Sequence, residues 1–288
     1  MKKKKILILG ASGMAGHVIS IYLKDLGKYD VIDVVYRTKI DGKSIIIDIR
    51  DNEKLEKVIQ EQNPNYIINC IGILIKGSQQ SADNAIYINS YLPHLLVKIA
   101  RKVNAKLIHI STDCVFSGKK GDYYEDDFRD ADDVYGRSKA LGEIENDIDL
   151  TIRTSIIGPE LKNNGEGLFH WFMMQKGIIH GYTNAYWSGV TTLELAAAID
   201  ASIEQNITGL IHLTNEIKIS KFDLLRFIKQ IFNKIDVDII PIETVRSDKN
   251  ILIKRNILKF NVQDYKKMIS EMKKFMDLNH NYYSQYLD

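Results

Sequence analysis

The sequence predicts an α/β protein, with a doubly wound parallel sheet in its first part and a smaller C-terminal α/β substrate region after it. Three observations predict this. Short apolar runs alternate with segments of helical spacing from Ile6 to Thr154. A glycine-rich turn joins the first apolar run to the first helical segment. The alternation then loses its regularity near Pro159. The expected division is a cofactor domain over 1–155 and a substrate domain over 156–288, with the 191–206 helix packing back on the first.

Composition bounds the class. A chain of 288 residues is long enough for a large core, and 45% apolar with 26% charged residues is ordinary for a globular protein. A net charge of +2 argues against a dedicated nucleic-acid binder. Cys70 and Cys114 each follow a strand-like run and read as free thiols in a reducing compartment; no His/Cys spacing calls for a metal. The basic start Met1–Lys5 looks like the opening of a signal peptide, but the apolar run behind it stops at Gly10. No run approaches the roughly 20 apolar residues of a membrane span. A cytoplasmic protein with no membrane partner is expected.

Ile6 to Leu9 suits a central parallel strand, and it runs straight into Gly10-Ala11-Ser12-Gly13-Met14-Ala15-Gly16 and a helix to about Leu26. That context is the one a Rossmann-type dinucleotide fingerprint requires. Gly10 makes the turn, Gly13 lets backbone approach a pyrophosphate, and Gly16 allows close packing of the helix. Ser12 and Met14 complete the loop at the helix N-terminus, where free N–H groups favour an anion. The spacing is GxxGxxG, against the commoner GxGxxG.

The second strand, Val31 to Tyr36, ends in Arg37-Thr38-Lys39. Asp33 lies mid-run and not at the tip, so Arg37 and Lys39 point to the 2′-phosphate of NADPH, with NADH as the alternative. A strand at Ser44 to Ile47 ends at Asp48 and Ile49, which could flank an adenine. Asp51 caps a helix to Gln62. The fourth strand, Tyr66 to Gly72, brings Cys70, Ile71 and Gly72 to the same edge; Gly72 permits close approach of a ligand, with a plain turn as the equal reading. A helix is expected over Ala85 to Val103. Pro93 sits awkwardly inside it, and a buried Asn89 would brace the neighbouring strand ends.

Lys106 to Ile110 is an apolar strand whose tip turns polar at Ser111, Thr112 and Asp113. After an acidic loop over 118–133, read as a solvated excursion, a helix opens with Tyr135 and Lys139 one turn apart on one face. A phenol titrates near roughly 10, and a neighbouring ammonium is expected to lower that value. The Thr112 hydroxyl could hold a substrate oxygen against the phenol. Tyr-x-x-x-Lys alone is a common accident. Its place behind a hydroxyl-tipped strand and downstream of a glycine turn gives it weight.

The second region is sparser in signals. Trp171 and Trp187 are candidates to stack on a substrate base or sugar, with core packing as the rival reading. Arg246, Lys249, Lys254 and Arg255 form a basic stretch that could meet a diphosphate or simply face water. The lysine-rich helix at Gln263 to Met276 reads as a solvated amphipathic face.

Taken together, GASGMAG, NCIG, STDCVFSG, YGRSK and RTSIIGPE resemble the extended short-chain dehydrogenase/reductases, and within them the dTDP-4-dehydrorhamnose reductases. The resemblance spans nearly the whole chain. It implies reduction of a 4-keto sugar on a nucleotide diphosphate with NADPH, in surface polysaccharide biosynthesis. It assigns Thr112, Tyr135 and Lys139 as catalytic: the Tyr protonates the ketone oxygen, and the Lys binds the nicotinamide ribose and tunes the Tyr. Asp113 matches the acid that follows the threonine. Related dehydratases carry Glu at the position of Cys114, so the resemblance implies plain reduction.

Two departures bear on the substrate. No proline precedes Tyr135, and Trp187-Ser188-Gly189-Val190-Thr191 stands where the rhamnose enzymes have Gly-x-Pro-Thr. An N-acetylated 4-keto-6-deoxyhexose on UDP is therefore weighed beside dTDP-4-dehydrorhamnose. The rivals are an epimerase that holds NAD tightly and a non-catalytic NADP-binding regulatory subunit. Such folds commonly pair as homodimers, and the assembly is left open.

Overall fold

The structure, a computed structural model, describes residues 3–287; Met1 and Lys2 of the basic start lie outside the described residues. The chain opens with β1 (Lys4–Leu9), α1 (Met14–Asp25), β2 (Tyr29–Val35), β3 (Ile45–Ile46), α2 (Asn52–Gln62) and β4 (Tyr66–Asn69). Two short helices, α3 (Ile75–Gln80) and α4 (Ala82–Ala85), precede a π-helical stretch at Ile86–Tyr91 and α5 (Leu92–Lys102). Then come β5 (Lys106–Thr112), α6 (Val134–Leu141) and β6 (Leu150–Thr154). The remainder holds β7 (Ile156–Ile157), α7 (Leu168–Met173), β8 (Gly177–Tyr182), β9 (Ala185–Trp187), β10 (Val190–Thr191) and α8 (Thr192–Glu204). It closes with β11 (Gly209–His212), β12 (Ile219–Ser220), α9 (Lys221–Ile231), β13 (Val237–Ile242), β14 (Ser247–Asp248), α10 (Tyr265–Leu278) and α11 (His280–Leu287).

Seven parallel strands form the central Rossmann-type sheet, in the order β11-β6-β5-β4-β1-β2-β3. Helices cover both of its faces, which is why β1 reads as an unbroken apolar run. Ile6 and Ile8 enter the core shared with α1 and α8, whereas Leu7 and Leu9 enter the one shared with α2 and α5. Strand order reverses between β1 and β4, and that switch point opens a crevice beyond the strands' carboxyl ends. The outermost strand, β11, comes from residues 209–212, and α8 packs on α1. Residues past 155 thus contribute to the same sheet.

Several expectations are corrected. The helix expected over 85–103 is interrupted by the π-helical stretch, which places Pro93 in the first turn of α5. Helical backbone nevertheless runs unbroken over 82–102, and the π-helical stretch is the irregularity that precedes the proline inside it. The third strand shrinks to Ile45–Ile46. The C-terminal lysine-rich helix is amphipathic as expected, with Lys266, Lys267 and Lys274 exposed, and its other side puts Tyr265, Met268, Ile269, Met272 and Met276 into the main core.

The acidic loop is likewise no simple solvated excursion. Glu125 is only 4% exposed and accepts the backbone N–H groups of Lys254 (2.9 Å) and Arg255 (3.3 Å). Asp130 takes the Ser117 N–H and hydroxyl, and Asp133 caps α6 by accepting the Gly136 N–H. Glu125, Asp130 and Asp133 thus serve backbone donors that packing would otherwise leave unsatisfied, while Asp126, Asp127 and Asp132 pair with Lys254, Lys120 and Lys119.

Candidate active site

The crevice starts at the glycine turn. Gly10 has φ +77°, and a Cβ there would lie 2.8 Å from Ile71 Cγ1. A Cβ on Gly16 would lie 2.2 Å from the Gly10 carbonyl oxygen, so only glycine lets α1 press this close to the turn. Gly13 stands at the N-cap of α1 with no side-chain cap, leaving N–H donors of the first turn open to an anion. Gly10, Ser12, Gly13, Asp48, Ile49, Cys70, Ile71 and Gly72 all line one cleft of about 330 Å³. Met14, at the start of α1, faces Gly167, whose Cβ would lie 3.0 Å from its sulfur. A bare-backbone turn, an uncapped helix and an apolar slot fit a dinucleotide.

Tyr36 and Arg50 also line the cleft. Arg50 holds Asp48 through Nη2–Oδ2 at 2.6 Å and Nε–Oδ1 at 3.0 Å, and that guanidinium keeps the Asp48 carboxyl below the usual range. Arg37 does not line the cleft; it is exposed and folds over the Tyr36 ring at 4.6 Å, within electrostatic reach of Asp48. Lys39 is exposed on the following loop. Sequence reading stopped at the tip of β2 and missed Arg50, whose only local signal is an arginine two residues beyond Asp48.

At the end of β5 the structure brings Thr112, Asp113, Tyr135 and Lys139 together. The Thr112 hydroxyl donates to Asp113 Oδ1 (3.1 Å), accepts the Cys114 N–H (3.1 Å) and neighbours the Tyr135 phenol. Lys139 Nζ donates to the Ile110 carbonyl at 2.7 Å. Burial pulls this ammonium down to about 8, against the opposing pull of Glu143 and Cys70.

The phenol does not behave as expected. Burial raises its pKa, and the neighbouring Cys114 and Asp113 push the same way. Tyr135 therefore keeps its proton across the physiological range. Burial also raises the Asp113 carboxyl, and pushes the Cys70 and Cys114 thiols up to about 12. Asn89 braces the site as expected: fully buried, it accepts the Ile73 N–H (2.9 Å) and donates to the Ile73 carbonyl (3.0 Å) and Ser138 Oγ (3.1 Å).

A second cavity, of about 690 Å³, lies in the C-terminal region between α7, β8 and α9. Trp171, Tyr182, His180, Glu166 and Lys221 are among its walls, and Trp171 is 40% exposed. Lys221 lies within the electrostatic field of Asp113. Trp187 is not available for stacking on a ligand: it is 5% exposed and packs on Tyr265, because the period-2 pattern of β9 turns it into the core. Arg255 has an exposed side chain and is anchored through its backbone N–H on Glu125.

A family model described as the RmlD substrate binding domain matches residues 4–252. The chain belongs to the RmlD substrate binding domain family. It is 31% identical over 141 residues to the dTDP-4-dehydrorhamnose reductase of Aggregatibacter actinomycetemcomitans, across 48% of this chain and 45% of that protein. The chain thus aligns with about half the length of this curated relative. A solved structure of a hypothetical dTDP-4-dehydrorhamnose reductase from Sulfolobus tokodaii superposes with a TM-score of 0.78 at 28% identity, covering 91% of this chain and 98% of that one. The Bacillus anthracis dTDP-4-dehydrorhamnose reductase in complex with NADP shares the fold with a TM-score of 0.79 at 23% identity, covering 95% of this chain and 100% of that one.

Beneath the hydroxyl cluster, this RmlD-family chain carries a buried polar network that sequence reading missed. Arg153, fully buried on β6, donates to Glu143 Oε1 (2.8 Å) and Oε2 (2.7 Å). Glu143 also accepts from Ser111 Oγ (2.6 Å) and pairs with Arg129. Arg153 Nη1 lies 2.8 Å from His212 Nε2, and His212 Nδ1 lies 2.8 Å from the Leu252 carbonyl. An arginine only donates and a carbonyl only accepts, so His212 is neutral with its proton on Nδ1. Burial and the facing Arg153 hold its pKa down at about 4. Among the described residues no cluster of His, Cys, Asp and Glu could hold a metal ion, and no helix is long and apolar enough to cross a membrane.

Proposed function

We propose that this chain is an NADPH-dependent reductase of a nucleotide-diphosphate-linked 4-keto-6-deoxy sugar, acting in surface polysaccharide biosynthesis. One observation carries the reading: the proton-holding Tyr135 phenol stands with Thr112 and Lys139 at the end of β5, and Lys139 neighbours Cys70, a wall of the glycine-turned cleft shaped for a dinucleotide. The family membership and the names of the relatives support the substrate class.

A bound reduced nicotinamide would supply the hydride. Gly10, Ser12, Gly13 and the first turn of α1 would hold its pyrophosphate, and Asp48 and Ile49 would border the adenine. Arg50, with Arg37 beside it, would meet the 2′-phosphate. Lys139, with a pKa near 8 and a place beside Cys70, is positioned to donate to the ribose. Thr112 would orient the ketone oxygen, and Tyr135 would deliver its proton as negative charge develops there. A phenol with a raised pKa gives up no proton to bulk water, so its proton is kept for the alkoxide. Asp113 would fix the Thr112 hydroxyl. The cavity beside Trp171 would take the nucleotide.

The test is NADPH oxidation by the purified protein across a panel of dTDP- and UDP-linked 4-keto-6-deoxy sugars. Stoichiometric consumption of NADPH with at least one is the expected result. Tightly bound NAD with no net consumption would mark an epimerase, and NADPH binding without turnover of any sugar would mark a regulatory subunit.

A further inference from the structure

Strand β5 meets helix α6 through two pairs of side chains. His109 and Ser111, two apart on β5, point to the same face of the sheet. Lys139 in α6 and Glu143 just beyond it, four apart, answer them. Glu143 accepts from Ser111 Oγ at 2.6 Å, while Lys139 Nζ stands 3.5 Å from His109 Nε2 and donates to the Ile110 carbonyl at 2.7 Å. His109 is fully buried and Lys139 only 4% exposed, so bulk water does not screen the pair.

Hydrogen bonding fixes the tautomer of the His109 ring. Asn69, also fully buried, is its cross-strand partner on β4. The Ile71 N–H only donates, and its nitrogen lies 3.1 Å from Asn69 Oδ1. The Asn69 amide is therefore set with its oxygen on Ile71 and its Nδ2 donating to His109 Nδ1, at 3.1 Å. Because Nδ1 accepts, the ring is not an imidazolium, and the one proton of a neutral imidazole is on Nε2. Nε2 is the atom that faces Lys139. An amine has a lone pair to receive that N–H; an ammonium has none, and its charge opposes the N–H dipole. Donors thus run in one direction, from the Ile71 N–H on the wall of the cofactor cleft through Asn69 and His109 to Lys139, and on to the Ile110 carbonyl. Every partner in that line is matched when Lys139 is uncharged.

We propose that His109 is a positioning residue for Lys139: with its proton held on Nε2 by Asn69, it favours the free amine over the ammonium and so sets the pH at which the lysine takes up a proton. The burial of Lys139 acts in the same direction, and Glu143 and Cys70 act against it. His94, on α5, adds to Lys139 in keeping the His109 ring neutral. The consequence for turnover rests on the reductase reading. The ammonium is the stronger donor to the ribose, so kcat/KM should fall as pH rises through the Lys139 midpoint.

Two NMR measurements on the full chain without cofactor test this. A long-range proton–nitrogen spectrum of histidine-labelled protein reads the tautomer, with the His109 signal identified by its loss in H109N or, if that variant melts below wild type, in H109Q. A proton on Nε2 is expected, and a proton on Nδ1 overturns the proposal. The second measurement follows the Lys139 Cε signal, identified by its loss in K139R, against pH. H109N keeps an acceptor for Asn69 but has no N–H at the lysine end, so the Lys139 midpoint should rise by about one unit, or about tenfold in proton affinity. A histidine that served packing alone would lower stability without moving that midpoint, and an unchanged or lowered midpoint overturns the proposal. With NADPH and the sugar panel, the alkaline limb of kcat/KM should move up by the same amount in H109N. If the tautomer and the midpoint behave as expected while wild type turns over no sugar, the reductase reading falls and the control of Lys139 by His109 stands.

Discussion

The two ends of the crevice are built differently. At the β1–α1 end, the shape comes from absent side chains: Gly10 and Gly16 clear space, and the uncapped first turn of α1 presents backbone donors. At the β5–β6 end, shape comes from buried charge: Arg153, Glu143, Arg129 and His212 knit β6, β11 and the loop after β5 together under Ser111 and Thr112. The first end depends on local backbone and close packing, so charge deletions should matter little there, and its pH dependence comes through His17 on α1. The second depends on matched ions and one histidine tautomer, so pH and single charge deletions should damage it. A binding cleft can be carved with glycine alone, but hydroxyls that must hold one orientation need polar groups fixed behind them.

That contrast can be broken or sharpened by experiment. Tyr135→Phe lies where the two ends meet, and should lower kcat by about 10²–10⁴-fold with NADPH affinity nearly unchanged, as read by steady-state kinetics and fluorescence titration. Arg153→Met should cost about 3–5 kcal/mol in urea unfolding, because Glu143 is left buried beside a lost partner. If that variant kept wild-type stability, the network would not be what holds the second end. Gly16→Ala should cost about 1–3 kcal/mol and weaken NADPH binding, since its Cβ would meet the Gly10 carbonyl.

The pH dependence follows from His212. Its folded pKa, about 4, lies below the ordinary 6.5, so the unfolded chain takes up a proton first as the solution is acidified. The stabilisation is complete above about 6.5 and declines as pH falls toward about 4. His17, also held down at about 4 by burial, and the fully buried His109 add to the same slope. His212→Asn should therefore remove about one proton's worth of the slope between these limits, measured as urea midpoints against pH. The smallest effect expected is at the cofactor's far edge: Arg50→Ala should reduce the preference for NADPH over NADH by about tenfold, the scale of one charge-assisted hydrogen bond. An unchanged preference would return that role to Arg37.

Much of this was legible because it is local. Alternating apolar runs demand a sheet covered on both faces, Gly10, Gly13 and Gly16 between a strand and a helix demand a turn with backbone exposed, and one helical turn puts Tyr135 and Lys139 on a common face. Each of these signals is contained in a few consecutive residues. The tertiary structure alone decided which way charge acts on the phenol, since that depends on its desolvation and on Cys114 and Asp113 lying beside it. It alone decided that Trp187 is core and that Arg50 and not Arg37 borders the cleft. Desolvation and long-range pairing are properties of neighbours brought together by the fold, and spacing along the chain does not encode them.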